Sequence, residues 1–173
     1  RLPVIYYDNP YRTHLVTAPE TIARMEAEGL IVGMKASNTD LYHFAQVADR
    51  VSDRFCLLSG QDTLFVEQAM LGAKGGVLTS AALVPGRWAE ILRLVEAGRV
   101  PEALALQRGL HPLMDALFAE QFPEGVRRAF AMIGLPIGAS LPPVTVLSQA
   151  AEHRLAAAID ALVADGTLIG AGA

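Results

Sequence analysis

The sequence of 173 residues has almost no cysteine, no long apolar run and no cluster of basic residues. Its single cysteine, Cys56, excludes a disulfide within the chain, so we expect a reducing, cytoplasmic setting. No apolar stretch approaches the roughly 18 to 20 residues that a membrane span needs, so we expect no membrane partner. The formal net charge is −4, and Lys and Arg are scattered, which argues against nucleic acid as a partner.

The histidines lack the spacing of metal ligands. They are His14, His43, His111 and His153. The glycine pair at 75–76 also lacks the fingerprint of a phosphate-binding loop, so we expect neither a metal nor an organic cofactor. The sequence does not begin with Met, and an apolar strand pattern follows within a few residues. We therefore expect further residues upstream in the natural protein.

Apolar residues are abundant, at 52% of the chain, and only 18% of the residues are charged. Four short apolar runs alternate with helical patterns, which predicts βαβ units with parallel strands. The runs are Val4–Tyr7, Leu30–Met34 leading into Lys35, Phe55–Leu58 and Gly76–Thr79. They lack alternation, as is typical of parallel strands that are covered on both faces.

Helical periodicity occupies the rest of the sequence. Thr17 and Glu20 have the spacing of a capping box, and Asp40 stands where a second helix would begin. After the fourth run the pattern is purely helical. The predicted helices are 88–96, 101–118, 125–133 and 148–164, the last capped by Ser148. Periodicity alone leaves two folds open, a small open α/β domain and one half of an eight-stranded barrel.

Four motifs carry a family resemblance. Tyr7–Thr13 resembles the Tyr-Asn-x-Pro-x-Arg-Thr segment after the fifth strand of dihydrodipicolinate synthases, and Ile31–Ser37 resembles their sixth strand, which ends in a Schiff-base lysine. Leu57–Asp62 is similar to their Leu-Leu-Ser-Gly-Asp-Asp segment, and Gly75–Val77 to the start of their eighth strand. In order and spacing, the chain therefore resembles the family that contains dihydrodipicolinate synthase and N-acetylneuraminate lyase.

The resemblance implies an α/β fold, the (β/α)8 TIM barrel, of which this chain would hold the last four β/α units. Residues 1–86 would form strands five to eight, and residues 87–173 the last barrel helix and a C-terminal helical extension. Four strands cannot close a barrel, so we expect the chain by itself not to be a competent enzyme. The resemblance also implies a homo-oligomer, either a dimer or a tetramer.

Two residues are implied to be catalytic. Lys35 ends an apolar strand, at the end where barrel active sites lie, and would form an imine with a 2-oxo acid. Desolvation by the strand favours the neutral, nucleophilic amine, although a lysine at a strand end could also simply reach water. Tyr7 would pass protons. Tyr6 points to the opposite face of its strand, so only one of the two can enter the site.

Five further positions are implied to bind substrate. Arg12 matches an arginine that holds a carboxylate, and Gly60 and the backbone of Val77 would line the 2-oxo acid pocket. Asp62 and Thr79 match positions that bind sugar hydroxyls in neuraminate lyases, although Asp62 could instead cap the next helix. Because these positions point to different substrates, and because Asp8-Asn9 departs from the synthase pattern, the subfamily stays open.

The resulting hypothesis is a class I lyase that acts on pyruvate or a related 2-oxo acid by aldol condensation, cleavage or dehydration. One alternative is an aldolase or dehydratase of 2-keto-3-deoxy sugar acids. The other alternative is a noncatalytic barrel that binds a 2-oxo acid.

Overall fold

The computed structural model describes residues 2–168, which belong to two compact units. The first unit comprises Arg1–Leu78 and Leu92–Val100, and the second comprises Thr79–Ile91 and Pro101–Ala173. The part of the predicted segment 87–173 beyond residue 168 lies outside the described residues.

The first unit is built on a three-stranded parallel sheet. The strands β1 (Ile5–Asp8), β2 (Gly33–Ala36) and β3 (Cys56–Ser59) lie in sequence order. In the register, Tyr7 of β1 lies opposite Lys35 of β2. Because the strands are parallel, all three carboxyl ends meet at one edge.

Helices connect these strands, as the alternating pattern predicts. Helix α1 (Pro10–Thr13) and helix α2 (Pro19–Ala27) lie between β1 and β2, and helix α3 (Leu41–Ala48) lies between β2 and β3. A 3₁₀ turn at Asp62–Leu64 and helix α4 (Phe65–Met70) follow β3. The βαβ prediction is therefore confirmed for the first three strands.

The predicted fourth strand is wrong. In the part of the chain that the structure describes, segment 76–79 forms only one isolated parallel bridge, between Ser59 and Gly76. Two glycines precede Val77, and glycine has a poor strand propensity because it has no side chain to pack. A 3₁₀ turn at Ser80–Ala82 then bends the chain away from an extended course.

The helix ends of the first unit correct one prediction and confirm another. The capping box is wrong: α2 has Ala18 as its N-cap, and the Thr17 hydroxyl instead bonds the Tyr6 hydroxyl at 2.7 Å. Gly29 follows α2 in a left-handed conformation, with φ +68°. The Asp40 carboxylate caps α3 by accepting hydrogen bonds from two backbone amides.

One face of the sheet packs against the helices. Met34, Ala36 and Leu57 are buried on this face, and Tyr6 packs against the same core. The helices contribute Ile22, Phe44 and Val47 to it. Because side chains alternate along a strand, Tyr7 and Lys35 lie on the opposite face, away from this core.

The second unit is helical over the residues that the structure describes. Helix α5 (Pro85–Glu96) contains the boundary between the units. It is followed by α6 (Val100–Gly109), α7 (His111–Leu117), α8 (Glu124–Met132) and α9 (Gln149–Ala164). The predicted helix at 101–118 is in fact α6 and α7. Gly109 is a weak helix former and Pro112 has no amide hydrogen to donate, which explains the break.

Helix α9 organises the second unit. Helices α7 and α8 both pack against it and against each other. Leu113, Leu117, Leu155 and Ile159 are buried there. Ser148 caps α9 by accepting a hydrogen bond from the Ala151 amide, as predicted. None of the helices described, α9 included, combines the length and the apolar character needed to cross a bilayer.

Candidate active site

The two predicted catalytic residues lie side by side at the carboxyl edge of the sheet. Tyr7 and Lys35 occupy paired positions on neighbouring parallel strands, on the same face. The Lys35 ammonium nitrogen lies 4.2 Å from the centre of the Tyr7 ring, within the range of a cation–π contact. Strand pairing therefore fixes the distance between an amine and a phenol.

Several polar groups converge on the Tyr7 phenol. The Asn9 side-chain amide donates to its oxygen at 2.9 Å, and Ser37 and Lys35 lie near enough to affect its ionisation. Partial burial raises the pKa of the phenol, but the polar contacts with Ser37, Lys35 and Asn9 and the charge of Lys35 outweigh that effect. The pKa of Tyr7 therefore lies below its usual value of 10.0, which favours the phenolate.

Ser37 connects the end of β2 to the turn that follows β3. Its hydroxyl is buried and donates to the Gly60 carbonyl at 3.1 Å. The Gln61 side-chain amide donates to the Ser37 carbonyl at 2.7 Å. These two bonds hold the turn at 60–61 against the segment that carries Lys35.

Gly60 lies in direct contact with this segment. A Cβ atom at Gly60 would lie 2.3 Å from the Ser37 hydroxyl oxygen and 3.0 Å from Cε of Lys35. It would also lie 2.9 Å from the Ala36 carbonyl oxygen. No side chain fits at these distances, so the close approach of the turn to Lys35 requires glycine.

Other predicted site residues lie on the segments next to the strand ends. Arg12 is exposed on α1, beside Tyr11, whose hydroxyl bonds the Thr39 hydroxyl at 2.8 Å. This bond ties α1 to the segment after β2. Asp62 is buried at the first position of the 3₁₀ turn after β3, and is not the N-cap of that turn.

Val77 and Thr79 fall on either side of the boundary between the units. Val77 belongs to the first unit, and its amide donates to the Ser59 carbonyl at 2.8 Å, beside the bridge to Gly76. Its side chain is exposed. Thr79 is the first residue of the second unit and precedes the 3₁₀ turn at Ser80–Ala82.

Asp8 lies beside Tyr7 in the chain but on the other face of the sheet. Its side chain is fully buried, and within residues 2–168 neither carboxylate oxygen has a hydrogen-bond partner. Burial raises the pKa of Asp8, and the nearby His43 opposes the shift only in part. His43 itself is buried on α3 and donates from Nε2 to the Thr17 carbonyl at 2.8 Å.

The sequence did not identify Asn9 and Ser37 as site residues, nor Asp8 as a buried acid. One signal was available: Asp8-Asn9 departs from the Tyr-Asn-x-Pro pattern, and both departures have structural consequences. Ser37 had no comparable signal, because its role depends on the turn after β3.

The fold and the site together define a class of protein. It is an α/β protein whose parallel strands present an amine and a phenol together at their carboxyl ends, where α/β active sites lie. The sequence matches the profile of the Dihydrodipicolinate synthetase family over residues 1–162. The chain belongs to this family, which confirms the predicted resemblance.

Relatives and solved structures agree with this assignment. The 4-hydroxy-tetrahydrodipicolinate synthase of Teredinibacter turnerae is 36% identical over 158 residues, covering 91% of this chain and 54% of that protein. The enzyme of the same name from Archaeoglobus fulgidus is 30% identical, covering 89% and 53%. The structure of dihydrodipicolinate synthase from Cyanidioschyzon merolae with lysine bound matches with a TM-score of 0.89 and 28% identity, covering 96% of this chain and 56% of that one. The chain thus spans about half the length of these relatives.

Proposed function

We propose that this chain supplies the imine-forming half of a lyase, in which Lys35 forms a Schiff base with pyruvate or a related 2-oxo acid. The observation that carries the proposal is the pairing of the Lys35 amine with the Tyr7 phenol at the carboxyl edge of the sheet. The relatives named 4-hydroxy-tetrahydrodipicolinate synthase support a lyase of this type.

The imine step needs an amine that can lose protons. Lys35 must give up one ammonium proton before its nitrogen can attack the keto carbon. A bond then forms between Nζ and that carbon, the carbon–oxygen bond breaks, and the oxygen leaves as water. Two of the three ammonium protons leave in that water, and the third stays on the protonated imine. The protonated imine then acts as an electron sink. It allows the neighbouring carbon to lose a proton, which converts the imine to an enamine.

Tyr7 is in position to move these protons. A phenol whose pKa is lowered ionises more readily, and its phenolate form can accept the first proton from Lys35 and return a proton to the departing hydroxyl. The lowered pKa of Tyr7 supports this role, because a proton shuttle functions best when its pKa is close to the working pH.

The other predicted site residues fit roles in substrate binding. We assign the substrate carboxylate to Arg12, which is exposed on the short helix that follows β1. We assign the walls of the 2-oxo acid pocket to Gly60 and the backbone of Val77. Asp62 and Thr79 stay predictions for hydroxyl groups of the second substrate, and they keep a 2-keto-3-deoxy sugar acid as the alternative substrate class.

We also propose that the chain forms the second half of a (β/α)8 barrel. Among residues 2–168, no strand pairs with the outer edge of β1. Val4 and Ile5 at this edge are 52% and 47% exposed, although both are apolar. An open apolar edge is a liability that a neighbouring strand removes. The oligomeric state and the cytoplasmic setting stay predictions.

Borohydride trapping tests the imine. The natural-length protein containing this chain is incubated with pyruvate, reduced with borohydride and digested for peptide mass mapping. Lys35 and Lys74 are the two lysines of this sequence, so Lys74 is an internal control. We expect an adduct on Lys35 in the wild type and in a Lys74→Arg variant, and none in a Lys35→Arg variant.

An adduct on Lys74 alone, or no adduct with pyruvate and several other 2-oxo acids, would contradict the lyase proposal. Reversible pyruvate binding without an adduct would instead support the noncatalytic binding barrel. Turnover with a series of aldehydes, measured after a positive trapping result, would identify the second substrate.

A further inference from the structure

Asn9 has a contact that the family pattern does not account for. The pattern places asparagine directly after the tyrosine and leaves the next position variable. Here Asp8 follows the tyrosine and is buried on the far face, whereas the asparagine comes one residue later. From this position the Asn9 amide reaches back and donates to the Tyr7 phenol oxygen at 2.9 Å.

The hydrogen bonds around the phenol have a direction. The Asn9 amide donates to the phenol oxygen, and the Ser37 hydroxyl donates its own hydrogen to the Gly60 carbonyl at 3.1 Å. When the phenol loses its proton, the Asn9 donor stays in place to stabilise the phenolate.

We propose that Asn9 is a positioning residue, whose amide holds the Tyr7 phenol beside Lys35 and stabilises its deprotonated form. The proposal rests on the proposed function, because it assigns Asn9 to the proton transfer that precedes attack by Lys35. It adds a residue that acts through Tyr7 and does not touch the substrate.

The chemistry favours a donor at this position. A hydrogen bond to a charged acceptor is about twice as strong as one between neutral groups, so the amide stabilises the phenolate more than the phenol. The phenolate can then take a proton from the Lys35 ammonium and later give it to the departing hydroxyl. Removing the amide makes the phenolate rarer at neutral pH, without removing Tyr7 or Lys35.

Titration of Tyr7 in the substrate-free, natural-length protein tests the proposal without any need for turnover. The phenolate absorbance is followed against pH, and the signal of a Tyr7→Phe variant is subtracted. In Asn9→Ala the donor is lost, and in Asn9→Asp a negative charge also takes its place. We expect the pKa of Tyr7 to rise in the order wild type, Asn9→Ala, Asn9→Asp.

Asn38→Ala is the matched control, because it removes the other asparagine amide of this sequence. Asn38 lies on the segment after β2, where its side-chain oxygen accepts from the Asp40 amide at 3.0 Å. We expect its Tyr7 titration to match the wild type. An unchanged pKa of Tyr7 in both Asn9 variants would overturn the proposal, and so would an equal shift in Asn38→Ala.

The rate of pyruvate trapping by borohydride adds a functional readout. We expect Asn9→Ala to form the adduct about tenfold more slowly at pH 7, with the rise of its pH profile moved to higher pH. A uniform loss of rate at all pH values would overturn the positioning role. If the wild type gives no adduct, the proposed function fails, and the Tyr7 titration still decides whether Asn9 stabilises the phenolate.

Discussion

The two faces of strand β1 shift the pKa values of two neighbouring residues in opposite directions. On the site face, the Tyr7 phenol accepts a hydrogen bond from Asn9 and lies beside Ser37 and Lys35, and its pKa is lowered. On the helix-packed face, the Asp8 carboxyl is fully buried without a hydrogen-bond partner among residues 2–168, and its pKa is raised. One residue step therefore separates a stabilised anion from a destabilised one.

This contrast shows where the sheet concentrates its polar contacts. The polar groups that surround Tyr7 come from the carboxyl end of β2, where Lys35 and Ser37 lie, and from the turn after β1, which carries Asn9. The opposite face packs against apolar helix residues, which in the described part of the chain donate no hydrogen bond to Asp8. Against the larger effect of burial, the charge of His43 favours the Asp8 carboxylate and acts to lower its pKa. We expect changes on the site face to alter rates, and changes on the helix-packed face to alter stability.

The largest expected effect is that of Tyr7→Phe. This variant keeps the aromatic ring beside Lys35 but removes the proton shuttle, so imine formation should slow by about 10²- to 10⁴-fold. Thermal stability should change little, because Tyr7 is 48% exposed. The measurement is the rate of adduct formation with pyruvate under borohydride.

Tyr6→Phe is the control for this variant. It removes a hydroxyl from the helix-packed face, where the phenol bonds Thr17, and should cost about 1 kcal/mol of stability without slowing the imine step. Equal rates of adduct formation for Tyr7→Phe and the wild type would contradict the proposed difference between the two faces, since the site face would then contribute no proton transfer.

A smaller effect is expected from Gly60→Ala. The new Cβ would overlap the Ser37 hydroxyl and the Ala36 carbonyl, so the turn must move away from Lys35. Overpacking of this kind costs about 1 to 3 kcal/mol, and we expect both a lower melting temperature and a slower imine step. Gly86→Ala is the matched control, because its Cβ would meet nothing within 4 Å. If Gly60→Ala behaves like Gly86→Ala, the turn does not constrain the site.

The smallest effect is expected from Asp8→Asn, and it concerns stability alone. Because the folded-state pKa of Asp8 is raised, the folded protein loses stability as the pH rises from the usual value of 3.8 through the folded pKa. The variant cannot ionise here, so it should melt at a higher temperature than the wild type at pH 7. The difference should vanish below about pH 4, where Asp8 is protonated in both states.

Melting curves of both proteins between pH 3 and pH 8 provide the measurement. Asp115→Asn, at an exposed position on α7, is the control and should show no such pH-dependent gain. A lower melting temperature for Asp8→Asn at pH 7 would contradict the interpretation of Asp8 as a destabilised anion.

Most of the first unit could be predicted from the sequence, because its signals are local. Continuous apolar runs predict β1 to β3. Strand alternation separates Tyr6 from Tyr7, and the family resemblance implies that Tyr7 shares the site with Lys35. The capping box failed because the Thr17 hydroxyl has a better partner in Tyr6, which lies in another element. The prediction of a fourth strand failed because two glycines weaken segment 76–79, which forms a single bridge, between Gly76 and Ser59.

The details of the site could not be predicted, because they also depend on contacts between different elements. Asn9 reaches Tyr7 only through the backbone conformation at the start of α1, and Ser37 meets Gly60 only because β2 and β3 pair in one register. Both contacts join residues that periodicity treats as loop. The roles of Arg12, Asp62, Val77 and Thr79 stay predictions.

The central claim is that Lys35 bonds covalently to a 2-oxo acid beside the Tyr7 phenol. A crystal structure of the natural-length protein soaked with pyruvate tests it most directly. We predict continuous density from Lys35 Nζ to the second carbon of pyruvate, with the Tyr7 oxygen within hydrogen-bonding distance of that nitrogen. Pyruvate bound in the site with Lys35 Nζ free, or bonded to Lys74 instead, would contradict the claim.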